Sequence, residues 1–109
     1  LAQNGAQILT CPAAFTKVTG EAHWHTLLRA RAIETGSYVI APAQSGLHED
    51  GRETFGHSLV IDPWGQIVAE STAYGEDVIL TEIDTAEVDS VRGRIPSLSK
   101  EQPFTISKK

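Results

Sequence analysis

One cysteine and four histidines are the side chains of this sequence best suited to nucleophilic or metal chemistry. Cys11 ends a short apolar run just before Pro12, and the end of a strand is a place where a thiol nucleophile can be displayed. A lone cysteine in an apolar run is more often a small buried side chain, and no neighbour in the sequence marks Cys11 as activated. We therefore favour a packing role for Cys11, and keep a thiol hydrolase that pairs it with a histidine as a minor hypothesis.

The spacing of the histidines argues against a metal site. His23 and His25 are two residues apart on a predicted helix, so they point to different faces and cannot chelate together as an i, i+4 pair would. His48 falls in a polar loop and is expected to be solvated, whereas His57 enters a strand and is interpreted as a residue that makes a fixed hydrogen bond. The sequence also contains no glycine loop for phosphate and no paired-carboxylate signature.

A strand, a helix and a second strand are predicted to carry these residues. Residues 6–11 form an apolar run that fits a buried strand, and residues 37–41 form a second run rich in β-branched and aromatic side chains. Between them, residues 21–35 have helical spacing, with Thr19 as the expected N-cap and Gly36 as the stop. We expect the two strands to pair in parallel.

The second half of the sequence predicts strands joined by turns. Residues 44–53 are charged and contain two glycines, which favours a solvent-exposed excursion. Strands at 58–61 and 66–70 flank the segment Asp62-Pro63-Trp64-Gly65, whose composition is typical of a type I turn and predicts a hairpin. Another strand is predicted at 77–83.

After that strand, Asp84 is expected to cap a short helix over residues 85–92, and residues 97–109 are expected to form a polar, extended tail. On the longer helix, Arg29, Arg31 and Glu34 are interpreted as a solvated or interface network. The element order predicts a mixed α/β fold with an antiparallel portion.

Composition excludes several classes of protein. The net charge of −5, with scattered Lys and Arg, offers no basic footprint for nucleic acid or an anionic membrane. The apolar runs are far shorter than the ~20 residues that a membrane helix requires. A single cysteine excludes an intrachain disulfide, and with no signal peptide at the start we expect a cytoplasmic protein. Residues 1–5 read as a last helical turn closed by Gly5, so we also expect that the chain begins inside an element and is a fragment.

Three blocks of the sequence together resemble the nitrilase superfamily of carbon–nitrogen hydrolases. They are CPAAFTKVTGEAHW at 11–24, LRARAIE at 28–34 and FGHSLVIDPWG at 55–65. With the spacing between them, the resemblance extends to Pro96. Within the superfamily it is greatest to the branch that contains deaminated glutathione amidase.

The resemblance implies an α/β fold, namely the C-terminal half of a nitrilase-type α-β-β-α sandwich. Residues 1–96 would form the C-terminal part of the hydrolase domain, and residues 97–109 a polar tail. It also implies a homo-oligomer that associates through the sandwich helices. The implied activity is hydrolysis of the amide bond of a small carboxylate substrate, without a metal or an organic cofactor.

In this family a cysteine nucleophile, a glutamate base and a lysine that stabilises the oxyanion do the chemistry. The resemblance places all three upstream of Leu1, and Cys11 one strand too late to be the nucleophile, so no catalytic residue is assigned within the chain. It implies that Ala14, Phe15 and Thr16 form a wall of the substrate pocket, with a small residue, an aromatic ring and a hydroxyl group. The alternative is a truncated, inactive homologue that serves as a binding or scaffold element.

Overall fold

The computed structural model describes residues 1–72 and 74–108. The strands form two sheets. One has four strands in the order β1-β2-β5-β6, and the other consists of β3 and β4. The elements in chain order are a 3-10 turn at Ala2–Asn4, β1 (Ile8–Thr10), α1 (Lys17–Thr19), a π-helical turn at Gly20–Trp24, α2 (His25–Thr35), β2 (Tyr38–Ala41), β3 (Ser45–Leu47), β4 (Glu53–Phe55), β5 (Leu59–Ile61), β6 (Ile67–Glu70), α3 (Thr85–Arg94) and a 3-10 turn at Ser97–Ser99.

The central pairings of the large sheet agree with the sequence. β1 and β2 are parallel, with Leu9 opposite Val39, and helix α2 makes the crossover between them. β5 and β6 form the predicted hairpin. Its turn is closed by a hydrogen bond from the Gly65 amide to the Asp62 carbonyl, and the Asp62 carboxylate accepts hydrogen bonds from the amides of Trp64 and Gln66. An aspartate at the first position thus caps its own turn, which is why this segment was predictable.

The large sheet has an apolar core on each face, because successive strand residues point to opposite sides. On one face, strand residues pack with the helical residues Trp24, Leu28 and Ala32. The strand residues of this core are Val39, Ala41, Leu59 and Ile61. On the other face, Tyr38 and Val60 pack against Val88 of α3. The π-helical turn and α2 therefore cover one face of the sheet, and α3 covers part of the other.

The long helix begins earlier than the sequence predicts. Thr19 has helical dihedral angles and is not the N-cap; Thr16 occupies that position, with extended backbone at φ −61° and ψ 153°. Gly20 was expected to stay outside the helix but lies inside it, in the π-helical turn. A β-carbon at Gly20 would lie 2.3 Å from the β-carbon of Phe55, so the missing side chain lets β4 pack directly against the helix.

The predicted strand at 77–83 does not form. Ile79 and Ile83 pack on the core that contains Tyr38 and Val88, but the three residues between them are all exposed, so the side chains do not alternate as those of a strand would. No strand of the described residues pairs with this segment, because it packs over the face of the sheet rather than along the edge of β6. The apolar residues of this segment therefore mark two contacts with the core and not a strand. A strand also needs a backbone partner.

The cap of α3 and the C-terminal tail follow the sequence, whereas the segment at 44–53 differs from it. The Asp84 side chain accepts a hydrogen bond from the Ala86 amide at 3.0 Å and caps α3, which continues two residues beyond the predicted end. The segment predicted as an exposed excursion forms β3, a loop and the start of β4. His48, expected to be solvated, is half-buried, and its Nε2 lies 2.7 Å from the hydroxyl of the buried Thr54. After the turn at Ser97–Ser99, residues 100–108 are exposed and have no regular structure. Among the described residues, none of the helices has the length and apolar character needed to cross a membrane.

Candidate functional site

The loops that follow β1 and β2 meet at the carboxyl ends of these parallel strands. The Ala13 amide donates to the Pro42 carbonyl, and the Gln44 amide donates to the Ala13 carbonyl, each at 3.0 Å. Ligands of α/β proteins commonly bind at the carboxyl edge of the sheet, because the loops there can vary while the strands hold them in place. This edge is therefore the candidate site.

Ser58, just before β5, joins the same edge. Its hydroxyl accepts from the Ala43 amide at 2.8 Å and donates to the Ala43 carbonyl at 3.2 Å. Two adjoining shallow cavities of about 550 and 400 Å³, both open to solvent, share Ala43, Gln44 and Ser58 in their walls. The larger is lined by Ala14 and its neighbours, and the smaller also by His48, His57 and acidic residues. Amide, hydroxyl and imidazole groups beside small apolar walls can orient a polar molecule with a short carbon chain.

The three residues expected to form a pocket wall diverge in space. Ala14 is exposed and lines the larger cavity. Phe15 turns the other way, with its ring 5.0 Å from the ring of Trp24, and belongs to the core on the helical side. Thr16 begins the helix, and its hydroxyl lies 3.0 Å from that of Thr19. Of these three residues, only Ala14 faces the larger cavity at the sheet edge.

Cys11 is half-buried at the end of β1. Its side chain packs against the core that contains Trp24, and it lines an apolar groove of about 620 Å³ together with Phe15 and Leu28. No hydrogen bond of its thiol is found in the described part of the chain, and its backbone amide donates to Ile40 at 2.9 Å. These surroundings agree with the packing role that the sequence favours.

A cluster that sequence spacing did not reveal lies beside the smaller cavity. The Glu70 carboxylate at the end of β6 is 2.5 Å from Nε2 of His25 and 3.0 Å from Nδ1 of His57. We call these residues the His25–Glu70–His57 cluster. His57 therefore has the hydrogen-bonding role expected of it. From the sequence, His25 was compared as a possible metal ligand only with His23, two positions away. Its hydrogen-bond partner in the structure, Glu70, comes from a distant strand.

The cluster changes the acidity of its carboxyl group. Burial acts to raise the pKa of Glu70, but the hydrogen bonds and charge attraction from His25 and His57 outweigh it, and the pKa lies below its ordinary value of 4.5. The ionised form of Glu70 is thus stabilised by folding.

Replacing Glu70 with glutamine is expected to flatten the acid limb of the stability curve. A carboxyl group with a lowered pKa contributes stability that is present above its unfolded pKa and is lost as the pH falls through its folded pKa. The wild type should therefore lose stability below about pH 4.5 more steeply than Glu70→Gln, as measured by urea unfolding at a series of pH values. Glu34→Gln, on the exposed surface of α2, is the matched control, and an acid limb like that of Glu70→Gln would contradict the assignment.

Arg29, Arg31 and Glu34 of the long helix are all exposed, as the sequence predicts, and Arg29 also makes a contact with another element. Arg29 donates from Nε to the Gly65 carbonyl at 2.8 Å and so binds the β5–β6 turn. The described ion pairs do not include one between Arg31 and Glu34.

Gln44 and Ser58, which define the site at the sheet edge, were not predicted from the sequence. The one available signal was that loops after parallel strands share an edge.

A known protein family covers most of this chain. The family model for carbon-nitrogen hydrolases matches residues 1–93. This chain belongs to the carbon-nitrogen hydrolase family. Deaminated glutathione amidase from Rattus norvegicus is 50% identical over 94% of the chain, and the human protein of that name is 48% identical. The chain spans 31% of the length of each of these relatives, so it corresponds to about a third of them.

Solved structures give the same fold for this carbon-nitrogen hydrolase chain. The NitFhit protein of C. elegans superposes with a TM-score of 0.87 at 48% identity, over 93% of this chain and 24% of the other. Saccharomyces cerevisiae Nit3, a member of branch 10 of the nitrilase superfamily, gives a TM-score of 0.84 at 39% identity, over 94% and 37%. The α/β fold of nitrilase type and the family resemblance are both confirmed.

Proposed function

We propose that the whole protein that contains this sequence is an amidase that hydrolyses a carbon–nitrogen bond of a small carboxylate substrate. The observation that carries the proposal is the 50% identity to a deaminated glutathione amidase over 94% of the chain. Deaminated glutathione is the first substrate to test. Residues 1–109 contribute a wall of the substrate pocket, and the cysteine, glutamate and lysine of the family mechanism match no position within them.

Ala14 is the pocket residue of this proposal. Its side chain lines the cavity at the carboxyl ends of β1 and β2, beside Gln44 and Ser58. A methyl group there leaves space for an acyl chain, and the neighbouring amide and hydroxyl groups can bind a polar end of the substrate. Phe15 supports this loop from beneath, through its contact with Trp24.

Enlarging Ala14 to leucine is expected to lower kcat/KM for deaminated glutathione at least tenfold. The added methylene groups occupy the space of the acyl chain, and a loss of about 1.4 kcal/mol of binding corresponds to a factor of ten. The effect should appear mainly in KM, because the reacting groups are untouched. The measurement is steady-state hydrolysis by the whole protein, with products identified by mass spectrometry.

The matched control is Ala86→Leu, at an exposed position on α3. It is expected to leave kcat/KM unchanged. Equal activity of Ala14→Leu and wild type would remove Ala14 from the pocket. No hydrolysis by the whole wild-type protein would reject the amidase itself. A polypeptide of residues 1–109 alone, assayed in parallel, is expected to hydrolyse nothing, and activity there would revive a thiol hydrolase based on Cys11.

We also propose that the protein associates with itself through the helical face of the sandwich. Leu27 and Ile33 of α2 are 55% and 45% exposed, and they lie on opposite flanks of the exposed side of the helix, since six residues place them about 120° apart. Apolar side chains on an exposed helical face are a common feature of subunit interfaces.

A further inference from the structure

The three side chains of the His25–Glu70–His57 cluster come from three separate elements. His25 begins α2, His57 lies between β4 and β5, and Glu70 ends β6. Each offers one ligand atom, and these atoms all lie within 4.8 Å of one another. The side chains are 31%, 31% and 25% exposed, so an ion from solvent can reach them.

We propose that His25, His57 and Glu70 bind a divalent ion of the zinc type. Two imidazole nitrogens and one carboxylate oxygen form a ligand set that proteins use for Zn²⁺, with water in the remaining position. The set is poorly suited to Mg²⁺, which prefers oxygen ligands in octahedral geometry. The ligand atoms are Nε2 of His25, Nδ1 of His57 and a carboxylate oxygen of Glu70.

The backbone and the neighbouring rings hold His57 towards this point. His57 has a φ of 59°, in the left-handed region that a residue with a side chain seldom adopts. Its carbonyl accepts a hydrogen bond from Nε1 of Trp24 at 2.8 Å, which holds the strained backbone in place. Its ring stacks on Phe55, with centroids 4.2 Å apart and planes 23° apart. Backbone strain that is stabilised in this way is found preferentially at functional sites.

His25 is held by the same aromatic ring. Its imidazole meets the edge of Phe55 at 5.8 Å and that of His57 at 5.5 Å between ring centroids. The two imidazoles are therefore oriented by packing as well as by Glu70. Fixing side chains in advance reduces the entropy that ion binding must overcome.

The separations require only a small adjustment. Ligand bonds of about 2.1 Å in tetrahedral geometry put neighbouring ligand atoms roughly 3.4 Å apart. Glu70 now lies 2.5 Å from His25 and 3.0 Å from His57, so each of these gaps opens by less than about 1 Å when the ion replaces the hydrogen bonds. The two imidazole nitrogens lie within 4.8 Å of each other, so they approach by about 1.4 Å at most. The half-exposed side chains can make this movement by small changes in rotamer.

Such an ion would join α2, the β4–β5 connection and β6 at a point beside the candidate substrate site, since His57 also lines the smaller cavity there. This role is structural and independent of the amidase proposal. The ion would cross-link two segments that are 45 residues apart in the sequence. An ion that binds the folded chain but not the unfolded chain stabilises the fold by mass action.

The test is titration of the metal-free purified protein with Zn²⁺ by calorimetry, with Mg²⁺ run in parallel. We expect one Zn²⁺ per chain, a rise in the melting temperature, and no response to Mg²⁺. His25→Gln, His57→Gln and Glu70→Gln are each expected to weaken Zn²⁺ binding at least tenfold. His23→Gln, on an exposed residue of the π-helical turn, is the matched control and should bind as the wild type does.

A measurement on the wild type guards against variants that fail to fold. Zn²⁺ should shift the imidazole nitrogen resonances of His25 and His57 and leave those of His23 and His48 in place. The proposal is overturned if the wild type binds no Zn²⁺, if His23→Gln weakens binding as much as His25→Gln, or if the His23 and His48 resonances respond instead.

Discussion

Replacing Trp24 with alanine is expected to lower the free energy of unfolding by about 3–5 kcal/mol, the usual range when a large buried aromatic side chain is removed. Trp24 is 1% exposed and lies in the core between the helix and the sheet. Its ring packs against Phe15, and its Nε1 donates to the His57 carbonyl at 2.8 Å. The change removes packing and a buried hydrogen bond together, which is a large part of the ~5–15 kcal/mol that stabilises a typical domain.

Two further variants separate these contributions in urea unfolding. Trp24→Phe keeps an aromatic ring but leaves the His57 carbonyl without its donor, and should cost about 1–3 kcal/mol. Trp64→Ala is the matched control, because Trp64 is 43% exposed and lies under the guanidinium of Arg94 at 4.5 Å. Its loss should cost about 1 kcal/mol. A loss for Trp24→Ala no larger than that for Trp64→Ala would show that Trp24 is not a centre of the core.

Replacing Gly56 with alanine is expected to destabilise the protein by about 2–5 kcal/mol, from two separate causes. Gly56 has a φ of +70°, where a β-carbon is strained, and that β-carbon would lie 2.4 Å from the β-carbon of Ser45. Strand β3 would have to move away from its partner. Because Gly56 precedes His57, the movement would also disturb the His25–Glu70–His57 cluster and the smaller cavity.

Gly51→Ala isolates the first of these causes. Gly51 has a φ of +86° in the β3–β4 loop, and a β-carbon there meets no atom within 4 Å. It should cost only the strain, about 1–2 kcal/mol. The difference between the two variants in urea unfolding measures the clash with Ser45. Equal losses for both would mean that β3 and β4 do not pack as closely as the structure has them.

Trp24→Ala and Gly56→Ala act on the same part of the molecule. Trp24 holds the His57 carbonyl, and Gly56 sets the path of the chain into His57. The stability of the core on the helical face and the geometry of the candidate site are therefore coupled through one residue. For a variant at either position, the free energy of unfolding should be measured before any change in activity is interpreted.

Some features of this chain follow from a few neighbouring residues, and these were predictable. The Asp62–Gly65 turn, the Asp84 cap of α3 and the stop at Gly36 each depend on side chains or glycines within a few positions. The parallel pairing of β1 and β2 follows from the order strand, helix, strand. The family followed from three sequence blocks whose combined spacing is specific, and the carbon-nitrogen hydrolase model confirms it.

Other features needed the three-dimensional arrangement. Gly20 lies within the helix, and only the structure shows why a side chain does not fit there, since Phe55, 35 positions later, occupies the space of a β-carbon. The segment 77–83 places Ile79 and Ile83 on the core but lacks a backbone partner among the described residues. Ala14 and Phe15 are adjacent in sequence, yet one faces the cavity and the other the core.

The histidine cluster shows the difference most clearly. Sequence spacing compared His25 with His23, two positions away, while its actual partner is Glu70, 45 positions away at the far end of another strand. Local signals are sufficient for turns, caps and helix ends because the interacting groups are neighbours along the chain. Hydrogen-bond partners between distant elements are determined by which faces pack together, and that depends on the burial of the whole core rather than on any short segment.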